Sequence, residues 1–370
     1  MEIVGGGFAG LAAATALAKR GWAVRVHERS DELRTTGAGI YVYENGVRVL
    51  EALGALDEAI EGASVSRTRE VRDERNRLLS VHHWGGSGRV YSILRQKLIN
   101  ALAAAARRAG AEIVTGSAGI AVTTEGRLTL SDGPAVAADL VIAADGVNSK
   151  IRDDLGLVAT RKPMPDGAIR VLIEKTLAER EAGDTGTTTE YWSGSHRILH
   201  TPCSDREIYL ALTMLDDDPA AKAVPIDAAL WRRWFPHLQG VIDRIGEGGR
   251  YDRFELIKLK AWSAGRIAVI GDAAHALPPN LGQGGGCAMM NALSLAVHLD
   301  GATDIRAALA AWERNERPLT EHTQRMSLFF GMATTWPPPL QRLFFYVTGR
   351  SKRVAQMRTR TARHKPTGTF

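Results

Sequence analysis

The stretch EIVGGGFAGLAAATALAKRGWAVRVHERS, residues 2–30, leaves few folds open. An apolar run passes into glycines, then an alanine-rich run, then a second apolar run that ends in an acid. That order reads as strand, glycine turn, helix and strand, the opening of a Rossmann unit. Gly5, Gly7 and Gly10 carry the GxGxxG spacing. The first allows the tight turn, the second lets a pyrophosphate approach the backbone, and the third lets helix pack on strand. The alanine run, residues 12–18, follows at once, so a phosphate would rest on that helix's N-terminus. Glu28 closes the strand over residues 23–27, where a carboxylate takes ribose hydroxyls. The motif does not choose between NAD and FAD. The chain has no second GxGxxG, so a further dinucleotide would bind without its own Rossmann domain.

Two later motifs have the same position relative to a strand. ADLVIAADGVNSKIR gives a buried strand that runs into Asp145-Gly146, and GRIAVIGDAAHALPPNLGQGGGCAMMNA gives another that runs into Gly271-Asp272. In a parallel sheet the carboxyl ends of such strands share one edge, where ligands bind. The three motifs are therefore expected to surround one extended dinucleotide. Between them, residues 161–260 alternate apolar and polar (AIRVLIEK, TTTEYW, HRILHTP, EIYLALTM, FELIKLK), the pattern of an antiparallel sheet with one covered face. A helical patch, DAALWRRWF, interrupts it.

Elsewhere, Gly37 and Gly39 are expected in a loop, followed by a helix with Val47, Leu50 and Leu53 on one face. Residues 68–71 and 78–82 read as a hairpin about a polar turn at 73–76. A helix follows with Ser92 as N-cap, Arg95 in its first turn and Gly110 just past its end. Short strands near 112–114, 120–123 and 127–130 precede an Asp132-Gly133 turn.

The fold class is thus α/β. A Rossmann-type nucleotide domain is assembled from residues 1–67, 93–160 and 262–302. A mainly antiparallel substrate sheet, residues 68–92 and 161–261, is inserted into it, and residues 303–370 form C-terminal helices and a basic tail.

Composition narrows the function. The 370 residues carry a net charge of +6, much of it in RSKRVAQMRTRTARHK at 350–365. No aromatic interleaving accompanies that run, so nucleic acid is not expected as a partner, and the segment reads as a solvated helix or frayed tail. No apolar run spans a bilayer and a strand begins almost at Met1, which points to a cytoplasmic protein without a membrane partner. Two cysteines, Cys203 and Cys287, make no framework, and the histidines show no metal-ligand spacing, so no metal is expected.

The fingerprints GGGFAGL, ADGVNSKIR and GDAAHALPPNLGQG resemble those of the class A flavoprotein monooxygenases, the para-hydroxybenzoate hydroxylase type, over nearly the whole chain to about Pro318. The resemblance implies non-covalent FAD, NADH or NADPH as a transient reductant, O2 as co-substrate, and hydroxylation of an aromatic ring through a flavin C4a-hydroperoxide. It assigns FAD contacts to Gly5, Gly7, Phe8, Ala9, Gly10, Glu28, Arg29, Gly39, Arg95, Asp145, Gly146, Gly271, Asp272, Pro279 and the glycines Gly284, Gly285 and Gly286. Within the family, GAGIY, NGVRVLEALGALD, RILHTPCSDREIYLAL and GQGGGCAMMNA are most similar to the 2-methyl-3-hydroxypyridine-5-carboxylate oxygenase group, which also opens the ring. That group shares Met290-Asn291 where the family usually has a Glu-Asp pair. It implies a substrate pocket of Tyr41, Arg197, Tyr209 and Pro279, with Arg69 standing near a lost pocket tyrosine.

The residue chemistry agrees with that assignment. A glycine-rich entry to an apolar helix would stabilise negative charge on the flavin ring. Pro278-Pro279 fixes two torsions beside the oxygen. Arg197 on an alternating strand would need an anion, which a substrate carboxylate or phenolate supplies. Tyr209, between Ile208 and Leu210, would reach a ring hydroxyl. The expected substrate is a small anionic aromatic or N-heteroaromatic acid, acted on by a monomer or homodimer. A flavin dehydrogenase, or a flavin- or nucleic-acid-binding non-enzyme, are the competing readings.

Overall fold

The computed structural model describes residues 1–33, 38–86, 88–131 and 133–370, so Gly37 and Asp132 lie outside the described residues. Its first sheet runs in the order Ser263–Ala264, Ile267–Val269, Val141–Ala143, Glu2–Val4, Arg25–Glu28 and Glu112–Thr115. All pairings are parallel except the short edge strand Ser263–Ala264. The three central strands are buried throughout, as the uninterrupted apolar runs require of a sheet covered on both faces. The helix Phe8–Ala18 lies against the helices Arg95–Arg108 and Gly284–Leu299. Residues 9–17 of it are all buried, and its alanines permit that close approach.

Register sets the site. Val4 stands opposite Ala143 and His27, and Ala143 stands opposite Val269. The chain therefore leaves the sheet at one level after each strand, and the glycine turn, Asp145-Gly146 and Gly271-Asp272 emerge side by side.

The second sheet has seven strands in the order Tyr251–Leu259, Val158–Glu174, Glu207–Leu215, His196–Pro202, Thr187–Ser193, Thr68–Asp73 and Leu78–His83. Alternation sorts its faces. Ile169, Ile198, Ile208, Leu210 and Leu212 pack under Trp231 and Phe235 of the helical patch. Ala168, Arg170, Arg197, Tyr209, Ala211 and Thr213 line a cavity on the other face. The sheet is not wholly antiparallel: Thr187–Ser193 pairs in parallel with Thr68–Asp73. A connection of more than a hundred residues separates those strands, ample for the crossover that parallel pairing needs. The hairpin turn is held by Asp73, whose carboxylate accepts the N–H groups of Arg75 and Arg77 at 3.0 and 2.9 Å.

Three local expectations change. Ser92 is not a cap: Tyr91–Leu94 is a strand paired with Gly39–Val42, and the helix begins at Arg95 behind Leu94. Gly39 is in that strand rather than a loop, and its missing side chain has a steric cause. A Cβ there would stand 2.7 Å from the ring of Tyr209. The basic tail is neither frayed nor wholly solvated. After the helices Ile305–Gly331 and Pro338–Arg350, the helix Lys352–Thr359 turns back onto the body. Thr361 bonds Thr323 at 2.7 Å, and the carbonyl of Ala362 accepts from Asn45 at 3.1 Å. No helix of the described residues is long and apolar enough to cross a membrane, and they contain no metal-binding cluster.

Candidate active site

Glycines shape the shared strand edge. A Cβ on Gly5 would lie 2.3 Å from the carbonyl oxygen of Ala144, and one on Gly10 would lie 2.0 Å from the carbonyl oxygen of Gly5. Turn, neighbouring strand and helix therefore close on one another only without side chains. Gly7, Gly146 and Gly284 have the opposite surroundings: a Cβ on any of them would meet no atom within 4 Å. The Glu28 carboxylate accepts the Gly6 N–H at 2.8 Å and the Ser30 N–H at 3.0 Å, which fixes it at the end of its strand. Arg29 is exposed just beyond it.

Further along the groove, Arg95 lies over the ring of Phe8, 4.9 Å from its centroid. Asp272 lies within electrostatic reach of Arg95 and Arg170. Its carboxyl is pushed up by desolvation, which the two arginines partly offset. Burial likewise lowers the Arg95 guanidinium and raises the Asp145 carboxyl. Among the described residues, Asp145 Oδ1 and Arg95 Nε are buried without a hydrogen-bond partner. Both stand near the glycine turns at the strand edge, where the polar groups of a bound ligand would satisfy them. The donor set fits the phosphates, ribityl and ring edge of FAD.

The glycines of the Gly284–Leu299 helix have separate surroundings. Gly284 is open, Gly285 meets Ile40, where a Cβ would lie 2.8 Å from Cδ1, and Gly286 faces Asn45 and Gln283. No side chain caps the helix, so its first N–H groups have no partner within it. Gly271 has φ +63° and would press a Cβ to within 2.7 Å of Ala9 Cβ, which joins this loop to the first helix. Met290 and Asn291 do not reach the groove. Both are fully buried, and Asn291 Nδ2 donates to Thr320 Oγ1 and contacts His275 Nε2.

Where the groove meets the second sheet lies a cavity lined by Tyr41, Tyr43, Arg170, Arg197, Tyr209 and Pro279, among others. The four residues expected to form the substrate pocket thus share one cavity. Tyr41 hydrogen-bonds Thr201, and burial holds its phenol far above the ordinary range. Tyr43 is pushed up to about 12 by burial. Both stay neutral at working pH and serve as walls. Tyr209 lines the cavity with its ring against Gly39. The Pro279 carbonyl accepts from Gly282 at 2.9 Å, so its exposed ring edge is the surface presented.

Arg197 differs from expectation. It has anions already: Nη2 meets Asp166 at 3.1 Å, and Nη1 meets Glu190 at 3.3 Å and the Asn280 side-chain oxygen at 3.1 Å. Its guanidinium also lies over Trp192 at 4.7 Å. Glu190 holds Arg69 through its other oxygen. A chain of Arg69, Glu190, Arg197 and Asp166 therefore crosses the cavity wall and, through Asn280, ties the sheet to the Pro278-Pro279 loop. Sequence pattern missed the two acids. Thr187–Ser193 and Val158–Glu174 were legible as strands, but only the sheet order places their carboxylates around one arginine.

A second cavity shares Arg69, Glu190, Arg197, Asn280 and Arg358 with the first. Its remaining wall sets Val71, Val81, Trp192, Phe330, Phe345 and Val354 beside the polar Ser80, His82 and Thr348. Arg358 comes from the docked tail, which no motif in the sequence connects to the site.

The chain matches the family model described as "FAD binding domain" over residues 1–310. It is 43% identical, over 99% of its length and 97% of the relative's, to a putative 2-heptyl-3-hydroxy-4(1H)-quinolone synthase of Rhodococcus erythropolis. It is 42% identical, over 95% of each chain, to a 2-heptyl-3-hydroxy-4(1H)-quinolone synthase of Mycobacteroides abscessus. Among solved structures it superposes on 2-methyl-3-hydroxypyridine-5-carboxylic acid oxygenase in a tetrameric form, with TM-score 0.90 and 38% identity. That match covers 100% of this chain and 97% of the other. The chain belongs to the FAD-binding domain family and is a FAD-dependent aromatic monooxygenase that uses NAD(P)H and O2.

Proposed function

We propose that this enzyme hydroxylates an oxygen-bearing nitrogen heteroaromatic ring of the alkylquinolone kind, rather than a small ring acid. One observation carries the reading: the ring cavity shares its wall with a second cavity that has an apolar side at Val71, Trp192, Phe330 and Phe345, while Arg197, the residue expected to take a carboxylate, is already held by Asp166 and Glu190. A small ring acid has no group to set against that apolar side, whereas an alkyl substituent does. The two relatives above, one a putative 2-heptyl-3-hydroxy-4(1H)-quinolone synthase and the other a 2-heptyl-3-hydroxy-4(1H)-quinolone synthase, agree with such a substituent.

In this reading Gly5, Gly7, Phe8, Ala9, Gly10 and Glu28 hold the ADP half of FAD, with Arg29 at its margin. Arg95, Asp145, Gly146, Gly271 and Asp272 hold the phosphates and ribityl chain. Gly39, Pro279 and the glycines Gly284, Gly285 and Gly286 border its ring. When bound, FAD passes two electrons from NAD(P)H to O2, so that one oxygen atom replaces a ring hydrogen and the other leaves as water. The protein's own work is positional. The unpartnered N-terminus of Gly284–Leu299 favours negative charge beside it. The Tyr209 hydroxyl would accept or donate a hydrogen bond at a ring oxygen. The Pro279 ring edge and the tyrosines Tyr41 and Tyr43 exclude water from the reacting face.

The test is NAD(P)H oxidation by the holoenzyme with a panel of 2-methyl-, 2-pentyl- and 2-heptyl-4(1H)-quinolone and hydroxypyridine carboxylates. Each methylene moved from water onto the apolar side of that cavity is worth about 0.8 kcal/mol, or about fourfold in KM. The quinolones should stimulate oxidation with KM falling along the series. Stimulation by the acids alone would remove the reading.

A further inference from the structure

We infer that Arg358, on the docked C-terminal helix, is the specificity-determining cation that recognises the ring oxygen of the substrate; this rests on the ring reading above. Four arginines line the ring cavity: Arg69, Arg170, Arg197 and Arg358. Three are matched. Arg69 is held by Glu190, Arg170 meets Asp252 at 3.3 Å, and Arg197 meets Asp166 and Glu190. Among the described residues Arg358 has no carboxylate within pairing distance. Its contact is the face of Phe330, 4.9 Å from guanidinium to ring centroid. Asp252 is shared between Arg170 and Arg250, at 3.3 and 2.7 Å, so the arginines outnumber the acids, and Arg358, with no acid beside it, faces both cavities at the wall they share.

The placement is built, not incidental. The Ser351 hydroxyl caps the Lys352–Thr359 helix by accepting the Val354 N–H. The Met357 carbonyl meets His322 Nε2 at 2.9 Å, and past the helix Thr361 and Ala362 bond Thr323 and Asn45. These contacts clamp the chain on both sides of Arg358 and hold its guanidinium at the junction of the cavities. A half-buried cation without a counter-charge favours a ligand with concentrated negative charge. On an oxygenated N-heteroaromatic ring that charge resides on the exocyclic oxygen. The guanidinium fork suits it, as a charge-assisted donor. Arg197, with its Nη atoms occupied, then orients the wall and the Asn280 loop.

The experiment compares holoenzyme with Arg358→Met and Arg358→Lys, reading ligand binding from the flavin absorbance change. The probes are 4(1H)-quinolone and quinoline, which lacks the oxygen. A charge-assisted hydrogen bond of about 1.5–3 kcal/mol is worth roughly 10- to 150-fold. Arg358→Met should therefore weaken 4(1H)-quinolone at least tenfold while the quinoline Kd moves less than threefold, and Arg358→Lys should recover part of the loss. Because the readout is a ratio of two ligands on one protein, a general loss of packing does not imitate it. Equal weakening of both probes, or no weakening, overturns the assignment of Arg358. Failure of wild-type enzyme to bind either probe overturns the ring reading, and this inference with it.

Discussion

Replacing Arg197 with methionine separates a structural arginine from a substrate receptor. The side chain is 5% exposed, and its loss would leave Asp166 and Glu190 buried at 3% and 7% exposure, with only Glu190 keeping a cation, Arg69. Breaking a buried pair by removing one partner costs about 3–5 kcal/mol. At roughly 2.1 cal/mol/K per residue, the 370-residue chain has an unfolding entropy of about 0.8 kcal/mol/K, so Tm should fall by about 4–6 °C. The pH dependence has a definite sign. Burial already raises the Asp166 carboxyl, and Arg197 opposes that rise. Without the arginine the native state holds the Asp166 proton still more tightly than the unfolded chain. Stability lost at neutral pH is then regained as pH falls through the raised pKa. Adding Asp166→Asn removes the unmatched charge and should restore most of the Tm. Scanning calorimetry of the single and double variants at pH 5.5 and 7.5 measures all three effects. An unchanged Tm for Arg197→Met, together with a large rise in substrate KM, would refute the structural role and return Arg197 to the substrate.

Other outcomes follow from the groove and core. Gly5→Ala must place a methyl 2.3 Å from the Ala144 carbonyl at φ +106°, so the protein should purify with less than a tenth of its flavin, read from the ratio of absorbance at about 450 and 280 nm. Glu28→Ala removes the acceptor of the Gly6 and Ser30 N–H groups. At roughly 1–3 kcal/mol for groups left unpaired, FAD affinity should drop about 5- to 150-fold, measured by equilibrium titration of stripped protein. His275 is buried with its pKa lowered to about 4 by desolvation. Its neutral form supports folding above pH 6.5, and that support is lost as pH falls through 4, at about 3 kcal/mol. His275→Asn should flatten the fall of stability in that window, seen as a smaller loss of denaturant midpoint between pH 6.5 and 4.5.

The nucleotide half of the molecule was legible because its signals are local. The glycines of residues 5–10, the strand before Asp145 and the strand before Gly271 each announce a turn at a strand end, and parallel pairing brings such ends together. Alternation was equally informative in Glu207–Leu215, where it put Tyr209 on the face away from Ile208 and Leu210. What escaped was long-range. Asp166, Glu190 and Arg197 come from three strands whose order is set by pairing over tens of residues, and no periodicity reports on a neighbour's carboxylate. Ser92 looked like a cap because serine before a helical run is a local preference, yet pairing with Gly39–Val42 holds it in a strand. The tail looked solvated because its charge is high. Thr359, Thr361 and Ala362, small and uncharged among the arginines, are the residues that bury. Arg358 enters the site with them.

The most direct test of the account is turnover of 2-heptyl-4(1H)-quinolone by FAD-loaded enzyme with NAD(P)H under 18O2, followed by mass spectrometry. The account requires a product heavier by one 18O atom in place of a ring hydrogen, with one NAD(P)H consumed per product. Stimulated NAD(P)H oxidation that yields only hydrogen peroxide and unchanged ring, or a product whose oxygen comes from water, would contradict it.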